Sequence, residues 1–406
     1  MHYAAPPTIR GVESTIYHHA RLLREAGYEV RIITGVGEPF RPDIQITVVP
    51  EIGSRHEAVL AVGKELAEGR VSARFAALRE LIAGRLHDLL AGVDVCIVHN
   101  ALTLHKNLAL TAALHDINQE ATVRIIAWCH DFAWQDELYV PDLHEGYPWD
   151  LLRTPWPGVR YVVVSENRRS ELAKLMRLAE ADIKVINPGV DVRQFLKLDP
   201  ATWRLVEKLD LLSARPLILL PARVTRRKNI ALAIEVVACL KEHMSHPMLV
   251  VTGPPGPHNP ANVAYLEQLR ALTETRQLVG SVHFLYEHGE SDSPLHVTEA
   301  MMSDFYQLAD ALLFPSRYEG FGIPVLEAGL ARLPVFASDI PPVRESAAGW
   351  AHLFDLAQPP AEIARRVAQT LSENNQYQLR QRVKQLYTWH SKVFRELIPL
   401  LEEARP

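Results

Sequence analysis

The sequence predicts an α/β protein of two Rossmann-like, doubly wound domains built on parallel sheets, and three observations carry that expectation. The chain has 406 residues, more than one hydrophobic core usually organises. Short apolar runs, the signature of strands buried on both faces, alternate with helical patterns from end to end. Hydrophobic residues make up 48% and charged residues 22%, the balance of a chain able to bury sizeable cores.

Taken in order, the strand-like runs of the first half are Val30 to Thr34, Val93 to His99, Val123 to Cys129, Tyr161 to Ser165 and the short Ile183 to Ile186. Those of the second half are Leu217 to Leu220, Met248 to Thr252, Val282 to Leu285, Ala311 to Phe314 and Pro334 to Ala337. Helical patterns between them imply parallel sheets covered by helices on both faces. Asn187-Pro188-Gly189-Val190-Asp191 breaks regular structure and marks the seam. The expected division is 1–188, 189–375 and a helical C-terminal stretch, 376–406. Ligands of open parallel sheets bind beyond the carboxyl ends of the strands, so two such domains facing each other would enclose a cleft.

The charge balance excludes some functions. A net charge of −5, with Lys and Arg scattered apart from Arg226-Arg227-Lys228, lacks the cationic surface that nucleic acid requires. Cys96, Cys129 and Cys239 are odd in number and far apart, and read as buried thiols of a reducing compartment. With no apolar run of about 18 residues and no basic-then-apolar leader, the expected location is cytoplasmic. No Asp-x-Asp, His-Glu-x-x-His or zinc-type cysteine spacing occurs, so no metal and no resident cofactor is expected. Gly63-Lys64 lacks the flanking residues of a P-loop, and Gly35-Val36-Gly37 lacks the third glycine of a dinucleotide fingerprint.

The most informative stretch runs from Leu312 to Ile340. An apolar strand ends at Pro315-Ser316, and a loop carries Glu319, Gly320, Phe321 and Gly322. A helix then opens at Ile323-Pro324-Val325-Leu326 and bears Glu327. Proline suits the first turn of a helix, and the free N–H groups of such a terminus attract anions. A diphosphate over Ile323 to Leu326, with Glu319 and Glu327 accepting from hydroxyls on either side, is the arrangement this spacing suggests. A second loop, Pro221-Ala222-Arg223-Val224-Thr225-Arg226-Arg227-Lys228-Asn229, follows the strand Leu217 to Leu220 and offers a forked and a point cation, Arg223 and Lys228, at a strand's carboxyl end. Arg226 and Arg227 are expected to face solvent or the mouth of the site.

Glu319 and Glu327 with Phe321-Gly322-x-Pro324 resemble the E-x7-E signature of the retaining glycosyltransferases of family 4 (group 1), and Arg223 to Asn229 resembles that family's R-x4-K-N loop. The resemblance implies the GT-B fold, with a C-terminal helix containing Tyr387-Thr388-Trp389 crossing back onto the first domain. It implies transfer of a hexose, with retention, from a nucleotide-diphosphate sugar (UDP-, GDP- or ADP-linked) to a glycan, lipid-linked or small-molecule acceptor. It assigns Glu319 to hexose hydroxyls and Glu327 to ribose hydroxyls. Arg223, Lys228 and the helix N-terminus would neutralise the departing diphosphate, as a metal otherwise would. Gly11, Phe321, Gly322, Ile323, Val325, Leu326 and Leu285 join the expected donor contacts, the base lying near Gly253 to Pro255 and Phe284 to Tyr286. Replacing Glu319 by Ala is expected to abolish transfer and leave the fold intact.

In the first half, His130-Asp131 follows a strand and resembles the family histidine that touches the donor sugar. His99 and Asn100, which end the preceding strand, could contact donor or acceptor. Trp128, Trp134, Tyr139, Trp149 and Trp156 read as a satellite core before a sugar-stacking platform. Phe75, Leu78, Ile82, Leu86 and Leu89 form a stripe on the helix Ser72 to Leu90, expected to pack internally; the alternative is a peripheral contact with the inner membrane surface. Met1 to Pro7 leaves little room for the strand that opens the family, and Arg10 stands where its first loop glycine would be, so the natural start is expected upstream of Met1. Two rival functions fit the same fold: a nucleotide-sugar epimerase, which would need further acid and base carboxylates, and a non-catalytic nucleotide-sugar-binding subunit of a glycan-assembly complex.

Overall fold

The computed structural model describes residues 1–6, 11–256, 261–289 and 293–403. They form two compact units, Met1–Val190 with Tyr387–Pro406, and Asp191–Leu386.

The first unit contains β1 (Arg31–Thr34), β2 (Gln45–Val48), β3 (Val95–His99), β4 (Arg124–Cys129), β5 (Arg160–Val163) and β6 (Ile183–Val185). β1 pairs with β2, and β3-β4-β5-β6 form a second sheet, every pairing parallel. Residues at the chain start bridge the two. The His2 N–H donates to Ile33 O, the His99 N–H to Met1 O, and His2 pairs with Thr34. The edges of β1 and β3 are thus partly satisfied by Met1 and His2. Arg10 lies outside the described residues.

The helix Ala73–Leu90 begins where the Ser72 hydroxyl accepts from the Phe75 N–H. It buries Phe75, Leu78, Ile82, Leu86 and Leu90 in the unit's core, with Leu89 partly buried beside them. The stripe is therefore a packing face, each buried side chain contributing about 1.5–3 kcal/mol. Trp149 and Trp156 are buried in the same core, with Trp134 and Tyr139 packed at its margin, while Trp128 joins a separate cluster with Trp389. Cys96 and Cys129 are buried, but Cys239 is half-buried because its helix face meets solvent.

The second unit contains β7 (Leu217–Leu220), β8 (Met248–Val251), β9 (Val282–Phe284), β10 (Ala311–Phe314), β11 (Val335–Ser338) and β12 (His352–Phe354). Their order is β12-β11-β10-β7-β8-β9, all parallel. The four central strands, β11, β10, β7 and β8, are buried at every position, as sheets covered by helices on both faces demand. The chain runs outward from β7 to β9 and returns to β10 on the other side of β7. The topological switch point therefore lies between β7 and β10, and their carboxyl-end loops converge there.

The seam falls at Val190, and the return at Tyr387. The Val190 N–H donates to Tyr387 O at 2.6 Å, and the Trp389 N–H to Val190 O at 3.3 Å. A Cβ on Gly189 would stand 2.5 Å from the Trp389 nitrogen, so only glycine permits this approach. Trp389, Val393 and Leu397 then bury against Leu22, Trp128 and Ile186. The division expected after residue 375 is corrected to after Leu386. The helix Asn375–Leu386 stays with the second unit because Gln381, Lys384 and Arg380 converge on the fully buried carboxylate of Asp310. Among the described residues no helix is long and apolar enough to cross a membrane.

Candidate functional site

Each expected cluster is assembled at the carboxyl edge of a sheet. In the second unit the loop after β7 carries Arg223 and Lys228, and the loop after β10 carries Glu319; because β7 and β10 are neighbours, the two loops are cross-linked. Lys228 Nζ lies 2.5 Å from Glu319 Oε1, both side chains being about nine-tenths buried. Arg227 Nη1 donates to Tyr318 O at 3.2 Å and to Glu319 Oε2 at 3.5 Å. The Arg317 N–H donates to Arg227 O at 2.8 Å, and Arg317 Nη2 to Asn229 Oδ1 at 3.2 Å.

Asn229 adopts φ +52, a left-handed conformation asparagine tolerates, and so turns the cation loop into the helix Ile230–Leu240. Lys228 Nζ also sits 5.0 Å above the Phe314 ring. Arg223 is exposed and has no ion pair among the described residues, leaving its guanidinium available to a ligand. Arg226 does face outward, lying 4.9 Å from the Tyr265 ring and bonded to Gln268. Arg227 is also exposed, and from there its guanidinium reaches Glu319 Oε2.

The helix Ile323–Leu330 opens at Gly322, whose φ of +99 suits glycine. Pro324 has no N–H, and the Val325 N–H is turned onto Gly322 O at 2.9 Å, while the Ile323 N–H precedes the first intrahelical bond. Val325 buries its side chain in the core, whereas Phe321, Ile323 and Leu326 are exposed around the helix start. Glu327 projects from the next turn and accepts from the Tyr306 hydroxyl at 2.5 Å. Leu285 is fully buried at the end of β9, on the sheet's outer edge, so any ligand contact there falls to backbone. The loop after β8 runs beside that of β7, with the Val224 N–H donating to Pro254 O and the Gly253 N–H to Ala222 O.

In the first unit, β3 and β4 place His99 and His130 side by side, His99 Nδ1 lying 3.4 Å from His130 Nε2. Asn100, at φ +60, turns its Oδ1 onto the N–H groups of His130 (2.8 Å) and Asp131 (3.3 Å), while its Nδ2 donates to Asp131 Oδ2. Asp131 is exposed and pairs with Arg168 at 3.5 Å. Behind them His2 donates from Nδ1 to His99 O, and His19 meets Trp128 edge-on. Burial, the leading cause in each case, lowers His2 and His130 to about 4, His19 to about 3, and His99 well below the ordinary 6.5. His130 is thus a neutral hydrogen-bonding group at pH 7, not a cation. Gly11 opens the first helix on the surface, and residues 7–10 before it lie outside the described residues.

Sequence reading missed Tyr306, Arg317 and Arg168. The first sits in an ordinary amphipathic helix, and nothing local signals that its hydroxyl reaches Glu327. Among the described residues no group of three or more His, Cys, Asp or Glu side chains could hold a metal ion.

Residues 202–386 match the profile of the glycosyl transferases group 1, and residues 9–194 that of glycosyltransferase family 4. The chain is 28% identical over 285 residues to the mannosylglucosylglycerate synthase of Petrotoga mobilis, covering 64% of this chain and 63% of that one. It is 25% identical to the Thermotoga maritima protein of the same name, over 63% of this chain and 61% of that one. The aligned region thus spans less than two thirds of these relatives' length. A further relative, the α-1,3/1,6-mannosyltransferase ALG2 of Kluyveromyces lactis, is 30% identical over 47% of this chain and 41% of its own. The crystal structure of WaaG, a glycosyltransferase involved in lipopolysaccharide biosynthesis, aligns over 99% of this chain and 96% of that one at 16% identity, with a TM-score of 0.34.

Proposed function

This chain belongs to the group 1, family 4 glycosyltransferases, which have the GT-B fold of two Rossmann-like units, and from that premise we propose that it transfers a hexose from a nucleoside-diphosphate sugar to a glycan, lipid-linked or small-molecule acceptor. The observation that carries the reading is the cross-linked pair of loops at the β7/β10 switch point, where Lys228, Glu319 and the Gly322-capped helix converge.

Breaking the bond between sugar and diphosphate leaves negative charge on the departing phosphate. Fixed cations held where that charge grows lower the barrier more than groups that bind substrate and transition state alike. Lys228 is such a cation: its ammonium has three donors, of which Glu319 takes one. Arg223 closes on the diphosphate from the exposed side, and the Ile323 N–H with the helix terminus adds partial positive charge. These groups together do the work of a metal, so transfer proceeds without one. Glu319 Oε2, which Arg227 reaches only at 3.5 Å, has a further lone pair for hexose hydroxyls, and Glu327 accepts from ribose.

His130, neutral and held by Asn100, is a hydrogen-bonding group suited to a sugar hydroxyl. Retention follows if the acceptor attacks from the face the diphosphate leaves, with the leaving phosphate oxygen taking the acceptor's proton. The mannosyl names of the relatives make mannose the first sugar to try.

The test is thermal stabilisation in EDTA by UDP, GDP, ADP and dTDP and their sugars. A ligand present at 100 times its Kd stabilises by about 2.7 kcal/mol. One nucleotide is expected to raise the melting temperature. No shift with any of them, in protein shown to be folded, would contradict the proposal.

A further inference from the structure

Glu327 sits on an exposed face of a short helix, where an unsupported glutamate would sample several rotamers and lose entropy on grasping a ligand. It is not unsupported. Tyr306 is buried to 5% exposure on the helix Glu299–Leu308, and its hydroxyl donates to Glu327 Oε2 at 2.5 Å. That helix is itself pinned. The Thr298 hydroxyl caps it by accepting from the Met301 N–H, and Asp304, also buried, accepts from the Asp199 N–H at 2.9 Å. Met301, Phe305 and Leu308 pack beside it in the core under β7 and β10.

We infer that Tyr306 is a positioning residue that fixes the Glu327 carboxylate for recognition of a ribose diol, and so sets discrimination between ribonucleotide and deoxyribonucleotide donors. The inference rests on the donor-site reading above. A phenol has one proton to give, and it goes to Oε2; Oε1 is left as a pre-aimed acceptor. A carboxylate gripped at one oxygen by a rigid donor presents the other with little further loss of freedom, which is where preorganisation adds affinity. Burial, followed by the neighbouring Glu327, raises the Tyr306 hydroxyl well above its ordinary range, so it stays a donor throughout the working pH range.

The test uses the whole chain and calorimetric titration with UDP, GDP and ADP, each beside its 2′,3′-dideoxy form. Wild type is expected to bind one ribonucleotide about tenfold or more tightly than its dideoxy form, the value of a hydrogen bond to a charged group. In Tyr306→Phe, which keeps the ring in the core, that ratio falls to about threefold or less, while dideoxy binding stays unchanged. On a Glu327→Gln background the same substitution changes nothing further. An unchanged ratio in Tyr306→Phe, or equal weakening of both ligands, would overturn the inference and leave Tyr306 a packing residue. Wild type that binds a nucleotide without preferring ribose would overturn the role of Glu327 and with it that of Tyr306. Wild type that binds no nucleotide at all would overturn the donor-site reading itself, and this inference with it.

Discussion

Replacing Glu319 by Ala should do more than stop transfer, because this carboxylate also neutralises a buried cation. Lys228 and Glu319 keep 10% and 8% of their side-chain exposure, at 2.5 Å separation. Removing one partner leaves the other charge desolvated, at a cost of about 3–5 kcal/mol. The second contact, from Arg227, is half-exposed and 3.5 Å away, and adds little. For a unit of this size 1 kcal/mol moves the melting temperature by about 2–4 °C, so Glu319→Ala should melt about 6–20 °C lower.

Lys228→Met should cost a similar amount, and Lys228→Met with Glu319→Leu far less than the sum, since the buried charges leave together. Calorimetric and urea melts of wild type, Lys228→Met, Glu319→Leu and the double variant close the cycle. Added nucleoside diphosphate should stabilise Glu319→Ala at least as much as wild type, because phosphate replaces the lost counter-charge on Lys228. A Glu319→Ala protein that melts within about 2 °C of wild type would refute this reasoning and restore the expectation from sequence that the fold is indifferent to the change.

Three further outcomes follow from the same geometry. His2, His19, His99 and His130 all have folded values below the ordinary 6.5, so the unfolded chain binds protons that the folded first unit refuses. Stability should be full above about pH 6.5 and fall as pH drops toward 4, a histidine shifted from 6.5 to about 4 contributing a loss of about 2 kcal/mol at pH 5; urea midpoints equal at pH 7 and pH 5 would contradict this. Gly322→Ala, at φ +99 with a Cβ 3.0 Å from Ser346 Oγ, should cost about 1–2 kcal/mol of backbone strain, and calorimetry should show nucleotide affinity at least about tenfold weaker. Asn100→Ala removes the acceptor of the His130 and Asp131 N–H groups and should cost about 1–3 kcal/mol in denaturant melts. It should lower kcat while leaving nucleotide Kd unchanged, a split that a purely structural role would not give.

Much of this was legible in the sequence because burial on both faces forces long apolar runs. β7, β8, β10 and β11 announce themselves that way, and the loops after β7 and β10 carry charges that a buried sheet would not keep without purpose. β2 and β12 were missed: they are short edge strands of mixed polarity, QITV and HLF, whose pairing is decided by a neighbour and not by their own pattern. Tertiary context also decided the fate of Asn375–Leu386, drawn to the second unit by Asp310 far away in sequence. The site residues were legible by type but not by partnership. Nothing in the spacing of Glu319 and Lys228 says that they touch, or that Arg227 reaches Glu319 from the surface, or that Tyr306 grips Glu327.

The central claim is that the β7/β10 switch point holds a nucleoside diphosphate through side-chain cations without a metal. Its most direct test is isothermal titration, in EDTA, of the nucleotide selected by thermal shift, against wild type, Arg223→Ala and the stability-compensated Lys228→Met, Glu319→Leu protein. A lost charge-assisted contact is worth about 1.5–3 kcal/mol, so each variant should bind about 10- to 150-fold more weakly than wild type. Equal affinity in all three, or wild-type binding that vanishes in EDTA and returns with a divalent cation, would contradict it.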